Sequence, residues 1–175
     1  MFARRPWLIP LGLAVVAQLL FGFRLAMPPS FVFDEVHYVP AARELLALSG
    51  PINVEHPLFG KTLIALSIAL FGDNPLGWRA LSTVAGTATV MALYAIARLL
   101  TGRQRPAVIA AMLAITCGTV FVQARIAMLD TFMAALLAGG LALLLWALRS
   151  PVRPWPKWVG GATLLGLAIG TKWAA

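Results

Sequence analysis

Charge is scarce in this chain, and negative charge is scarcest: six Asp and Glu and two His stand among 175 residues that are 61% hydrophobic. Only 11% of residues are charged, against about a quarter in soluble domains, which excludes an ordinary water-soluble fold. A single cysteine, Cys117, excludes an intramolecular disulfide and leaves the redox compartment open. A basic stripe interleaved with aromatics is also missing. The fourteen Lys and Arg stand singly or in small groups between apolar runs, so the net charge of +8 does not indicate nucleic acid. No internal repeat is visible, as a transporter built from paired halves would require. What the chain has in abundance is long apolar sequence, with a mean hydropathy of +0.87. These features predict an all-α integral membrane protein.

A spanning helix needs about 20 mostly apolar residues. Trp7 to Met27, Ala80 to Leu100, Met128 to Leu148 and Trp158 to Ala175 come close to that length, and Ala107 to Gln123 is slightly shorter. The first run follows Arg4 and Arg5 but has no small-x-small cleavage site before Pro28, so it reads as an uncleaved anchor. Leu58 to Phe71 is too short to span comfortably and suits an interfacial helix. Were it to span, Arg98, Arg103 and Arg105 would fall outside, against the positive-inside bias. The expected topology therefore has five transmembrane helices in one domain and a cytoplasmic N-terminus. Residues 28–79 then form a first extracytoplasmic loop with interfacial helices. Arg4, Arg5, Arg98, Arg103, Arg105, Arg149, Arg153 and Lys157 become cytoplasmic, and all six acids lie on or near the opposite face.

Segregation of acids is not required for insertion and points to chemistry. In "FVFDEVHYVP" two acids, Asp34 and Glu35, sit among aromatic residues. One of them is explained by capping the helix expected over Val36 to Leu48; the second is not. In "NVEHPLFGK", Glu55, His56 and Lys61 surround a Pro and a Gly. Each has a bland reading, a loop histidine or a lysine snorkelling to headgroups. Arg79, Arg125, Asp130 and Lys172 fall at the same face, where ionisable groups pair or line a polar cavity. A structural or assembly subunit would account for the apolar mass and for Gly166-x-x-x-Gly170 as a packing motif, but not for six acids on one side.

Taken in order, Asp34-Glu35, His56-Pro57-x-x-Gly60-Lys61, Arg79-Ala-Leu-Ser, Ala124-Arg125-x-x-x-Leu129-Asp130 and Gly166-x-x-x-Gly170-x-Lys172-Trp173 resemble the protein O-mannosyltransferase family. The resemblance covers most of the chain from Phe31 onward. The aminoarabinose transferases of lipid A are similar in the same region. One departure is Leu58, where the family usually has a second proline. The resemblance implies a multispanning helix bundle that moves a sugar, mannose by this likeness, from a polyprenyl-phosphate carrier to an acceptor hydroxyl at the extracytoplasmic face, with inversion. An aminoarabinose-type transfer to a lipid acceptor is the alternative. In a bacterium such an enzyme resides in the inner membrane, among lipids that include its donor.

By the same likeness Asp34 is the base that takes the acceptor's proton, with Glu35 orienting the acceptor or supporting the loop. His56, Lys61, Arg79, Arg125, Asp130 and Lys172 are offered to the donor phosphate and substrate. Glu55 matches a position that resembles a metal ligand in the aminoarabinose branch, which would pair it with Asp34 on Mg²⁺ or Mn²⁺. The family has further spans beyond its Lys-Trp stretch. Five helices thus read as an N-terminal portion, expected to insert into membranes without transferring sugar alone.

Overall fold

The computed structural model describes residues 7–50, 52–150 and 152–175; Arg4 and Arg5 lie outside them. Among the described residues there are eight helices and no strand: α1 (Leu8–Gly22), α2 (Glu35–Ala47), α3 (Leu58–Phe71), α4 (Pro75–Thr101), α5 (Gln104–Thr116), α6 (Gly118–Gln123), α7 (Leu129–Leu148) and α8 (Trp155–Ile169). Two of them, α4 and α7, are long and apolar enough to cross a membrane, and α1, α3 and α5 are shorter apolar helices.

Helix α4 begins five residues before the apolar run that announces it. Asn74 caps it, its Oδ1 accepting from the N–H groups of Leu76 and Gly77 at 3.1 Å each. Pro75 follows at the first helical position, where no N–H is needed. Gly102, at φ +68°, ends the helix in the left-handed conformation that glycine adopts without strain. The Ala107–Gln123 run, expected as one span, is two helices broken at Cys117, whose φ of −68° and ψ of 117° are extended. Ile115, Thr116, Cys117 and Gly118 are all weak helix formers. The Thr116 hydroxyl donates back to Met112 O at 2.9 Å, satisfying one carbonyl of the last turn.

Two apolar clusters form the core. Tyr38, Ile64, Trp78, Met128, Leu129 and Phe132 join α2 and α3 to α4 and α7. Ala17, Phe21, Val90, Ala111 and Ala124 join α1 and α5 to the other side of α4. Close approach of α7 and α8 occurs at Gly140 and Gly161, where a Cβ would come within 2.9 Å of Leu165 and 2.6 Å of Leu144. Gly166, expected to pack helices, has nothing within 4 Å of the place a Cβ would take.

The charged groups sort to two ends of the bundle. At one end Arg149, just past α7, donates to Leu100 O of α4, and the Lys157 ammonium sits 4.6 Å from the Trp146 ring centroid. At the other end Arg79 on α4 reaches the segment after α1, and Asp130 opening α7 meets Lys172 just past α8. Helix α3 belongs wholly to this second end. Its first turn docks on α8 through Phe59 N–H donating to Gly170 O at 3.0 Å, and its last turn adjoins the start of α4. It therefore does not run the length of the bundle.

Candidate functional site

At the centre of the second end is a buried ion pair. Glu35 and Arg79 are both 0% exposed, joined by Arg79 Nε to Glu35 Oε1 and Arg79 Nη2 to Glu35 Oε2, each 2.7 Å. The carboxylate also accepts from Val32 N and Ala127 N at 2.8 Å. Arg79 spends its other N–H groups on the carbonyls of Leu25, Pro28 and Ser30. Five guanidinium donors thus make five bonds, which is the full complement. The pair ties the end of α1, the loop before α2, α4 and the turn before α7 to one point. Of the two roles suggested for Glu35 the geometry fits support of the loop, since the carboxylate is sealed from any acceptor; Arg79 has no N–H left for a phosphate. Desolvating two charges requires this degree of satisfaction.

Asp34 stands beside that anchor with its carboxylate half-buried. It occupies the N-cap position of α2 but makes no side-chain cap hydrogen bond. Its one side-chain partner is the Tyr38 hydroxyl, which donates at 3.5 Å, one turn further along the same helix face. The preceding residue, Phe33, is held at φ +55°, a conformation that costs a non-glycine residue about 1 kcal/mol or more. Burial, then the charges of Asp34 and Asp130, push the Tyr38 phenol up to about 12. Tyr38 is therefore a hydrogen donor at every physiological pH. The His56 ring lies 6.1 Å from that of Tyr38, and its Nδ1 is buried without a hydrogen-bond partner.

Lys61 is fully buried, and its ammonium donates to Asn53 O at 2.5 Å and His56 O at 2.8 Å. It folds the 53–57 turn over the start of α3 instead of facing outward toward a phosphate. Gly60 is required there, since a Cβ would come within 2.7 Å of Thr171 and 2.8 Å of Leu129. Through this contact the His56–Lys61 motif is seated on the ends of α7 and α8.

Lys172, at the same end, donates 2.8 Å bonds from Nζ to both oxygens of Asp130; the side chains are 21% and 31% exposed. Arg125 donates through Nη1 to Leu20 O and Phe21 O and lies 5.0 Å from the Phe121 ring centroid. Its Nε and Nη2 make no hydrogen bond with the described residues. The site so assembled has two carboxylates without an ion-pair partner, the half-buried Asp34 beside the anchor and the exposed Glu55 of the 53–57 turn, and two cations, Lys172 and Arg125, with donor capacity remaining or exchangeable. The oxygen pair offered to a cation, Asp34 and Glu55, gains no third ligand: among the described residues no three His, Cys, Asp or Glu side chains gather.

Two participants escaped the sequence reading. Tyr38 was detectable from its i+4 spacing to Asp34. The other is a surface cluster in which Asp73 Oδ1 accepts from Trp78 Nε1 at 2.6 Å and from Arg43 Nη2 at 2.9 Å, while Arg43 lies 5.6 Å from the ring centroids of both Phe31 and Trp78. It fastens α2 to the α3–α4 turn. Hydrogen bonding from Arg43 holds the Asp73 carboxyl below the usual carboxylate range, over the opposing effect of burial, with the Trp78 N–H adding to it. A depressed carboxyl contributes stability that is complete above its unfolded value, about 3.9, and is lost as pH falls through the lower folded value. With the carboxylate 47% exposed, screening limits the gain to under about 1 kcal/mol. Asp73→Asn is thus expected to lower the melting temperature slightly at pH 7, and its difference from wild type to shrink as pH falls below the ordinary carboxylate range toward the lower folded value. A difference independent of pH would assign the effect to packing.

The family model for dolichyl-phosphate-mannose-protein mannosyltransferase matches residues 55–175. A polyprenol-phosphate-mannose–protein mannosyltransferase of Mycolicibacterium smegmatis is 36% identical, over 82% of this chain and 33% of the relative. The protein of the same name from Corynebacterium glutamicum is 40% identical over 58% of this chain and 22% of its own. An undecaprenyl phosphate-alpha-4-amino-4-deoxy-L-arabinose arabinosyl transferase of Pseudomonas fluorescens is 31% identical over 72% of this chain and 24% of its own. No solved structure matches. The chain spans about a third of the length of the mycobacterial relatives it matches. With the family model matching well over half of its residues, the chain belongs to the dolichyl-phosphate-mannose-protein mannosyltransferase family.

Proposed function

We propose that this chain forms the catalytic end of a membrane glycosyltransferase that moves mannose from a polyprenyl-phosphate carrier to a Ser or Thr hydroxyl of a protein. The observation that carries this reading is Asp34, a carboxylate without a cap bond, poised beside a fully satisfied ion pair and at the same end as Lys172 and Arg125. In the reaction the acceptor oxygen bonds to the anomeric carbon while the bond from that carbon to the phosphate oxygen breaks. The acceptor proton goes to Asp34, and the polyprenyl phosphate departs with its charge balanced by Lys172 and Arg125. A single displacement inverts the anomeric centre.

The site faces the extracytoplasmic side in this proposal. Five spans are counted as α1, α4, α5 with α6, α7 and α8, and α2 and α3 lie at the interface. Basic residues then gather at the cytoplasmic end. A reporter fused after Arg103 is expected to read cytoplasmic and one inserted near Asp73 extracytoplasmic. A cytoplasmic Asp73 would overturn the single-face site.

The transfer itself is tested in membranes containing the full-length product, with radiolabelled polyprenyl-phosphate mannose and a Ser/Thr peptide. Label on the peptide with inverted configuration is the expected result. Transfer to lipid and none to peptide would favour the second reading, an aminoarabinose-type enzyme, which the similarity to the Pseudomonas relative supports.

A further inference from the structure

Below Asp130, at the depth of the second turn of α7, the bundle contains a crevice with about 230 Å³ of interior space. Gly86 and Thr89 of α4, Thr119 and Gln123 of α6, and Asp130 and Thr131 of α7 contribute to its wall. The helix break at Cys117 turns α6 so that Thr119 and Gln123, one turn apart, share this wall. Most of the lining is apolar, as in ligand sites that use a few converging polar groups.

Those polar groups include donors, the Gln123 amide and the Thr119 and Thr131 hydroxyls, and three acceptors that still have lone pairs to fill. Gln123 Oε1 is buried without a hydrogen-bond partner. Thr89, only 8% exposed, donates its hydroxyl to Ala85 O at 3.0 Å, so what it has left for a ligand is its lone pairs. Asp130 can only accept, and its single described partner is Lys172 on the rim. Leaving a buried acceptor unpaired costs about 1 to 3 kcal/mol, and more where hydrocarbon replaces water. A phosphate brings only acceptors and leaves Gln123 Oε1 unpaired beside the Asp130 carboxylate. A compact ligand with several hydroxyls, each both donor and acceptor, pairs the acceptors of this wall and its Thr and amide donors together.

We propose that this crevice receives the sugar unit of the donor, with Gln123 Oε1 accepting from one of its hydroxyls and so selecting among sugars, while the phosphate remains above at Lys172. The inference rests on the transferase reading and adds a specificity-determining residue to it. It also divides the labour at the rim: Asp130 holds Lys172 on one side and faces the crevice on the other.

The test uses the full-length product, wild type and Gln123→Met, with polyprenyl-phosphate mannose and its monodeoxy analogues. Wild type is expected to disfavour one deoxy analogue by about 10- to 100-fold in kcat/KM, the range one buried hydrogen bond supplies. Gln123→Met is expected to lose that factor on the parent donor and to treat the two donors alike, as coupled partners do in a double-mutant cycle. Retention of bare polyprenyl phosphate, measured by native mass spectrometry, is expected to be equal in both proteins, which separates a lost contact from a lost fold. Equal discrimination by both proteins overturns the crevice proposal while leaving the transferase intact. Weakened retention of bare polyprenyl phosphate also overturns it, because Gln123 would then serve the phosphate or the fold. A wild type that moves no sugar from any polyprenyl-phosphate donor overturns the transferase reading, and this inference with it.

Discussion

Asp34→Asn in the full-length product is expected to lower sugar transfer by about 10² to 10⁴, the range a positioned general base contributes, while insertion, donor retention and melting temperature stay near wild type. Asn keeps the shape of the side chain and loses only its capacity to take the proton. The competing explanation, that Asp34 is a helix cap, makes the opposite forecast. Asn caps about as well as Asp, so that variant would be nearly silent, and Asp34→Ala would cost roughly 1 kcal/mol. The geometry opposes capping, since Asp34 sits at the N-cap without a cap bond. Both Asn and Ala at this position are therefore expected to be stable and inactive. Tyr38→Phe is expected to reduce the rate less, by removing one 3.5 Å donor from the Asp34 carboxylate. Because the phenol is pushed up to about 12, the basic limb of any pH–rate profile should not move in that variant. Near-normal transfer by Asp34→Asn would remove Asp34 from the role of base.

The second large effect concerns folding. Glu35→Gln is expected to destabilise the protein by about 3 to 5 kcal/mol, the cost of leaving one member of a buried ion pair uncompensated. The physical reason is local: an amide NH₂ in place of one carboxylate oxygen would face N–H donors, from Arg79 and Ala127 or from Arg79 and Val32, depending on its flip. Arg79→Gln is expected to cost a similar amount and to release the Leu25, Pro28 and Ser30 carbonyls as well. Replacing both residues with methionine should recover part of the loss, because no charge is then stranded. Thermal unfolding of the two single variants and the double variant in detergent measures this. A Glu35→Gln protein with wild-type stability and no transfer would return Glu35 to the substrate, where its place in the Asp-Glu motif first put it.

The adjacent acids therefore have different tasks, and no property of the dipeptide separates them. Composition and run length were enough to determine an apolar all-α chain. The short run Leu58 to Phe71 matched α3 to the residue, because its ends are marked by Pro57 and Gly72 and no neighbour extends it. Similarly, the motif residues were enough to suggest the family, since each brings a charge or a turn into otherwise apolar sequence. The start of α4 was legible in Asn74-Pro75 but hidden by a reading that followed hydropathy alone. Which charges face the site was not legible. Glu35, Arg79 and Lys61 look like catalytic equipment in the sequence, yet each is closed off by partners 3 to 92 residues away. Gln123 looks like an ordinary polar residue near the end of an apolar run, and only the break at Cys117 turns it inward. Sequence determines which groups this protein has and the face on which they gather. Tertiary structure decides which of them keep a free lone pair or N–H, because a buried polar group is spent once it is satisfied, and its partners come from distant parts of the chain.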